Sequence, residues 1–359
     1  MANFQTPRIR VQAFCERFGL RLPILLAPMA GVPAPALSIA VANAGGLAAC
    51  GAVLMQPDAI LQWARTFRAG SDGPFQFNLW IPDPVPHRDQ THEALVREFL
   101  AQWGPPVSAE MEVATLPSFD AQCAAVLEAA PSFVSSVMGV YPDRFVAQLK
   151  DRGIRWFANV STVAEARTAE AAGADVIVAQ GMEAGGHRGS FDAASAEREL
   201  VGLFALVPAI VDAVRIPVVA TGGIADARGI AAALVLGASA VQIGTGFLRC
   251  PEAGIPSAWA DTLAQTSPEG TMLTRAFSGR AGRSIATAYA RAAAGHAAPA
   301  PAPYPIQRAL TKAMREKANR DGDIERMQAW AGQSAALARA EPAATLTTRL
   351  WQDAQPLLA

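Results

Sequence analysis

The strongest constraint on this chain is a repeated pairing: a short, apolar, β-branched run followed by an Ala-rich stretch with helical spacing. Strands are expected at 24–30, 46–51, 75–80, 132–138, 155–161, 175–180, 217–220 and 240–243. Helices are expected at 34–44, 57–67, 91–103, 120–129, 163–172, 200–214 and 225–236. Runs this short and this apolar suit strands buried on both faces, which is the condition of a parallel sheet covered by helices. Eight such strands in βα alternation match the (β/α)8 TIM barrel, although a doubly wound sheet alternates in the same way.

After Leu248 the strand pattern stops. Residues 251–284 are mixed, and HAAPAPAPYPIQ (296–307) carries too much proline for a helix interior. Helices are expected at 306–319, 324–340 and 343–358. The 359 residues therefore divide into an expected barrel at 1–248 and a mostly helical substrate or cap domain at 249–359, part of it free to pack back on the barrel. The segment 104–117 fits no element.

Composition removes several function classes. At 51% hydrophobic and 17% charged, the chain is not disordered. Its 30 basic and 31 acidic residues leave no field to attract nucleic acid or an anionic membrane. Cys15, Cys50, Cys123 and Cys250 are far apart with no CxxC, so neither a disulfide framework nor a thiolate metal site is expected. The opening MANFQTPRIRVQAF lacks the apolar core of a signal peptide, so a cytoplasmic protein is expected. Residues 22–57 hold no charge, but Pro28, Pro33, Pro35, Asn43 and Gly45-Gly46 break the stretch into pieces too short to span a bilayer. The three lysines, Lys150, Lys312 and Lys317, sit neither in a glycine-rich loop nor at a strand end, which excludes a P-loop and weakens a Schiff-base aldolase reading.

A barrel presents its chemistry at the carboxyl ends of its strands. Those ends are Ala27-Pro28-Met29, Asn78, Gln180, Thr221-Gly222-Gly223 and Gln242 to Thr245, where Gly244 sits. They are poor in ionisable groups and rich in glycine, amide and hydroxyl. The last two loops offer unsatisfied backbone N–H groups after strands seven and eight, where barrels hold a phosphate; the alternative is that these glycines only make tight βα turns. The loop after strand six, GMEAGGHRGSF (181–191), lets the backbone lie close to a flat ligand and contains His187. A neutral imidazole there can take a proton, and an imidazolium can hold an anion. His87, His92 and His296 fall in surface contexts. Glu183 is expected on a solvent-exposed rim beside Arg188, and Asp226 and Arg228 at a helix start.

LLAPMAGV (25–32), VANAGGLAACGA (41–52), FQFNLW (75–80), AQGMEAGGHRG (179–189), VVATGGIAD (218–226) and ALVLGASAVQIGTGFL (233–248) together resemble the nitronate monooxygenase family, formerly called 2-nitropropane dioxygenase. FSGRAGRSI (277–285) continues the match, and PYPIQRALT (303–311) is similar to the family's substrate-domain segment. The APM opening is similar to the class I branch. The resemblance implies an FMN-dependent barrel that oxidises alkyl nitronates with O2 to a carbonyl compound and nitrite. By motif, Ala27, Pro28 and Met29 would lie along the flavin ring, and Asn78 and Gln180 would hydrogen-bond the flavin or its ribityl chain. Gly185, Gly222, Gly223, Gln242, Gly244 and Thr245 would line the phosphate end. His187 would be the catalytic base or anion partner, and Tyr304 would close the substrate pocket. Met29, Phe77, Trp80, Met138 and Phe191 are expected to line that pocket.

The partners implied are a small-molecule nitronate and O2, with no nucleic acid, no membrane and no metal; homodimerisation stays open. The nearest alternative is an NAD(P)H-dependent FMN reductase of quinones or enoyl-thioesters, which would share the phosphate loops. A non-enzymatic flavin carrier is the alternative from another class. A barrel of the IMP dehydrogenase type would need a cysteine in the loop after strand six, and that loop has none.

Overall fold

The computed structural model describes residues 6–32, 34–111, 113 and 116–358. Pro33, the first five residues of the N-terminal stretch and part of 104–117 lie outside the described residues. Eleven strands are present among the described residues: β1 (Ile24–Leu26), β2 (Ala48–Gly51), β3 (Phe75–Trp80), β4 (Phe133–Val137), β5 (Arg155–Val160), β6 (Val176–Gln180), β7 (Gly186–His187), β8 (Val218–Thr221), β9 (Ala240–Ile243), β10 (Thr271–Thr274) and β11 (Gly282–Ile285).

Eight of them form one parallel sheet in the order β1-β9-β8-β6-β5-β4-β3-β2. A parallel bridge between Leu25 and Leu47 joins its two edges, with Leu26 N–H donating to the Leu47 carbonyl at 2.9 Å and Leu47 N–H to the Ile24 carbonyl at 3.0 Å. The sheet is thus a closed TIM barrel, which leaves no edge strand exposed.

Side-chain alternation on β3 shows how the barrel divides its residues. Phe75 and Phe77 point outward against Trp63 and Phe67 of the surrounding helix Pro57–Gly70. Gln76, Asn78 and Trp80 have the opposite parity and face inward. At the amino-terminal end, Phe14 and Phe18 cap the interior against Phe133 and Phe157. They come from helix Pro7–Phe18, which has proline at its start, a left-handed Gly19 at its end and Val11, Phe14 and Phe18 buried.

Four helices lack a sequence expectation: Ser257–Leu263 and Ala288–Ala293 in the C-terminal region, and Pro7–Phe18 and Asp143–Asp151 around the barrel. The latter two are short and charged, and bury only one narrow stripe.

The C-terminal region departs from expectation in three places. Strands do occur after Leu248: β10 and β11 pair antiparallel, and β11 also pairs with β7, setting Gly282 opposite His187. Four-residue and two-residue strands carry too little alternation to be seen in sequence. The helix expected at 324–340 is also absent. The turns Ile324–Arg326 and Ala335–Leu337 flank an extended stretch in which Trp330 bridges Ser284. The helix expected at 306–319 breaks at Thr311 into Ile306–Leu310 and Lys312–Asp321. Thr311 Oγ1 donates to the Phe277 carbonyl at 2.7 Å. Helix Ala343–Ala354 returns to the barrel and packs on helices Ala36–Ala44 and Ala227–Val235. Among the described residues no helix is long and apolar enough to cross a membrane, and no cluster of three His, Cys, Asp or Glu could hold a metal.

Candidate active site

A cavity of about 410 Å³ opens at the carboxyl ends of the barrel strands. Its wall includes Ala27, Pro28, Met29, Asn78, Gln180, Gly185, His187, Gly222, Gly223, Gln242, Gly244, Thr245 and Tyr304. Residues spread from 27 to 304 therefore share one space, because barrel closure brings every strand end to the same rim. Met29, Trp80 and Met138 line it as well. Phe77 and Phe191, expected in the wall, are not there. Phe77 has the outward parity of β3 and packs on Trp63. Phe191 is drawn away because its N–H donates to Glu165 Oε1 at 2.7 Å, and its side chain packs on the outer core.

One end of the cavity is built from backbone. The N–H groups of Gly222, Gly223 and Gly244 have no acceptor among the described residues. Gly222 and Gly223 have φ of 115° and 65°, a region that only glycine enters without strain. Thr245 Oγ1 accepts from Gly332 N–H at 3.0 Å, and Ser334 Oγ donates to the Gly223 carbonyl. Gln333 N–H donates to the Glu183 carbonyl at 2.9 Å, so segment 332–334 closes over the loop after β6.

Glu183 is not on a solvent-exposed rim. It is half-buried, its Oε1 accepts the N–H of Leu203 at 2.8 Å, and its Oε2 is buried without a partner among the described residues. The carboxylate thus serves the positive end of helix Leu203–Ala213. Asp226 caps helix Ala227–Val235 and pairs with Arg228, as a helix start should. The uncommitted N–H groups of two adjacent loops, with no side chain filling the space before them, fit a phosphate dianion such as that of FMN.

The other end is built from side chains. His187 lies between two indoles, its ring 4.9 Å from Trp80 and 4.8 Å from Trp330. Its Nε2 is 2.8 Å from Ser278 Oγ. Burial, with Arg280 and Arg308 nearby, pushes its pKa down to about 3, so the resting imidazole is neutral. The cations at this end are guanidinium groups. Arg308 and Arg315 line the cavity, whereas Arg280 is tied to Asp83 at 2.6 Å. Tyr304 stands 5.4 Å from Trp80, and burial raises its pKa.

Two amides link the ends. Gln180 Nε2 donates to the His187 carbonyl at 3.1 Å, and its Oε1 accepts Gly189 N–H at 2.8 Å, so Gln180 braces the whole loop. Asn78 Nδ2 donates to Ser135 Oγ at 3.0 Å. Arg188 is fully buried and ties the loop to β6 through Nη1, which donates to the Gly181 carbonyl at 2.9 Å.

Sequence reasoning missed Ser278, Arg308, Arg315 and Trp330. Ser278 and Arg308 lie inside FSGRAGRSI and PYPIQRALT, so the motifs contained them without marking them. Trp330 had no local signal, because its segment reads as helix.

Comparison with known proteins agrees with this geometry. The family model described as Nitronate monooxygenase matches residues 13–353. A nitronate monooxygenase of Paraburkholderia phytofirmans is 40% identical over 352 residues, covering 95% of this chain and 94% of that protein. One of Pseudomonas aeruginosa is 38% identical over 348 residues, covering 95% and 98%. Among solved structures, nitroalkane oxidase from Streptomyces ansochromogenes superposes with a TM-score of 0.86 at 35% identity, covering 96% of this chain and 98% of that one. FabK from Thermotoga maritima gives 0.75 at 28% identity, covering 99% and 97%. Sequence and fold are thus shared along nearly the whole length, and the chain belongs to the nitronate monooxygenase family.

Proposed function

We propose that this enzyme oxidises alkyl nitronates with O2 to a carbonyl compound and nitrite, using FMN. The observation that carries the reading is a cavity with a backbone anion cradle at Gly222, Gly223 and Gly244 and with His187 and Arg308 at its other end. The family is flavin-dependent in general, and the cradle suits the phosphate of the mononucleotide. Bound FMN would supply the electron acceptor and the reaction with O2.

The chain supplies binding, orientation and exclusion of water. The Gly222-Gly223 and Gly244-Thr245 loops hold the phosphate. Ala27, Pro28 and Met29 offer an uncharged wall for the ring, and Asn78, Gln180 and Gln242 offer amides to its polar edges and ribityl chain. Arg308 attracts the anionic nitronate, and Trp80, Trp330 and Tyr304 close the pocket around it. A nitronate has already lost its α-proton, so its oxidation asks little of a base. A neutral nitroalkane must give that proton up, and His187 is the group placed to take it.

The test is anaerobic addition of a simple alkyl nitronate to the FMN-loaded protein. Bleaching of the flavin bands, followed by their return with nitrite release when O2 is admitted, is expected. Bands that nitronate leaves unchanged and NADH bleaches would overturn the reading in favour of a reductase.

A further inference from the structure

An imidazole can act as a base only through the nitrogen that lacks a proton, so the tautomer of His187 decides whether it can reach a substrate. The two ring nitrogens have different surroundings. Nε2 lies 2.8 Å from Ser278 Oγ, and that hydroxyl is buried. Nδ1 has no hydrogen-bond partner among the described residues and is not sealed from the cavity that the ring lines.

The serine hydroxyl has one proton and two acceptors within reach. One is Nε2; the other is the Arg280 carbonyl, 3.3 Å from Oγ. Arg280 N–H also donates to Oγ, at 3.4 Å. If the hydroxyl gave its proton to Nε2, the Nδ1 hydrogen would point into a pocket walled by indole rings, a donor without an acceptor. If it gives the proton to the Arg280 carbonyl, Nε2–H donates to Oγ and every donor in the group is satisfied. The nitrogen left bare is then Nδ1, a lone pair facing the cavity, which costs less than an orphaned N–H.

We propose that Ser278 is a positioning residue that holds His187 in the Nε2–H tautomer and so presents Nδ1 to the substrate as the base. This rests on the reading of His187 as the base toward neutral nitroalkanes. In that step the α-carbon–hydrogen bond breaks and its proton goes to Nδ1. The electron pair moves into the carbon–nitrogen bond, leaving the nitronate and an imidazolium whose Nε2–H stays on Ser278. The anion formed faces Arg308.

Both partners of the Nε2 contact are fixed by one small sheet. His187 is in β7 opposite Gly282 of β11, and Ser278 lies in the turn between β10 and β11. Their distance is therefore set by strand register rather than by a free side-chain choice. The charged groups that act on the imidazole are Arg280, which is paired with Asp83, and Arg308, while Arg315 and Tyr304 line the same cavity. Among the described residues no carboxylate bonds the imidazole to fix the tautomer in place of Ser278, a task that a carboxylate or carbonyl often performs.

The experiment compares wild type, Ser278→Ala and Ser278→Thr as FMN-loaded enzymes on a neutral nitroalkane and on its nitronate. In Ser278→Ala the ratio of the two kcat/KM values is expected to fall by about tenfold or more, because the base is partly in the wrong tautomer. Ser278→Thr keeps the hydroxyl and is expected to keep the ratio. Equal losses on both substrates in Ser278→Ala, or a Thr ratio matching that of Ala, would overturn the proposal. ¹⁵N NMR of labelled wild-type holoenzyme gives a second readout: Nδ1 is expected at the position of an unprotonated ring nitrogen, and finding Nε2 there instead would also overturn it. Should the wild type not consume the neutral nitroalkane at all, the base reading falls, and the ¹⁵N spectrum alone decides the role of Ser278.

Discussion

Gly185 and Gly332 pass so closely that a Cβ on Gly185 would stand 2.4 Å from the backbone nitrogen of Gly332. This contact fastens the loop after β6 to the C-terminal segment that closes the anion cradle. Gly185→Ala must push the two segments apart, at a cost of about 1–3 kcal/mol. A lower melting temperature and a dissociation constant for FMN raised about tenfold are expected. Fluorescence titration with FMN checks this; an unchanged constant would show that segment 332–334 does not shape the cradle.

Arg308→Met keeps much of the side-chain length and removes one of the two guanidinium charges that line the cavity. A charged hydrogen bond contributes about 1.5–3 kcal/mol, so KM for an alkyl nitronate should rise by about tenfold or more, with kcat falling less. Arg308 also lowers the pKa of His187, so the same variant should let the imidazole protonate at a higher pH. Steady-state kinetics against pH reads both effects, and an unaltered KM would remove Arg308 from nitronate binding.

His187 makes the fold sensitive to acid. Its pKa falls from an ordinary 6.5 to about 3 in the folded chain. Between those values the unfolded chain binds the proton and the folded chain does not. Stability is therefore complete above about pH 6.5 and is lost as the pH drops toward 3. Thermal melts of His187→Gln should lose stability less steeply than wild type across that window. Parallel curves would mean that His187 ionises normally.

Phe18→Ala tests the opposite end of the barrel. Its ring lies 4.8 Å from Phe14, 6.0 Å from Phe133 and 5.6 Å from Phe157. Removing a buried phenyl ring costs about 3–5 kcal/mol. Chemical denaturation should show that loss, with FMN affinity nearly retained, because the amino-terminal face of a barrel carries stability rather than chemistry.

Strand FQFNLW coincides with β3, and 240–243 with β9, because an apolar run buried on both faces needs no partner to be recognised. The glycine loops were legible for a similar reason: a left-handed backbone at Gly222 and Gly223 demands glycine, and the demand shows in the sequence. Glu183 was misjudged because an acid in a glycine-rich loop looks like a rim residue until the start of helix Leu203–Ala213 is seen above it. Phe77 was misplaced for want of the parity of β3.

The sequence by itself determined the alternation of strands and helices, the place of His187 in the loop after β6 and the glycine loops after β8 and β9. Each of these follows from local periodicity or from a backbone conformation that one residue type must satisfy. Only the tertiary structure decided what His187 can do. Trp80, Ser278, Arg308 and Trp330 reach it from 80 to 330 along the chain, and their meeting depends on barrel closure and on pairing of β7 with β11. A pKa and a tautomer are properties of such a neighbourhood, set by burial and by charges and hydrogen bonds through space, and no window of sequence contains them.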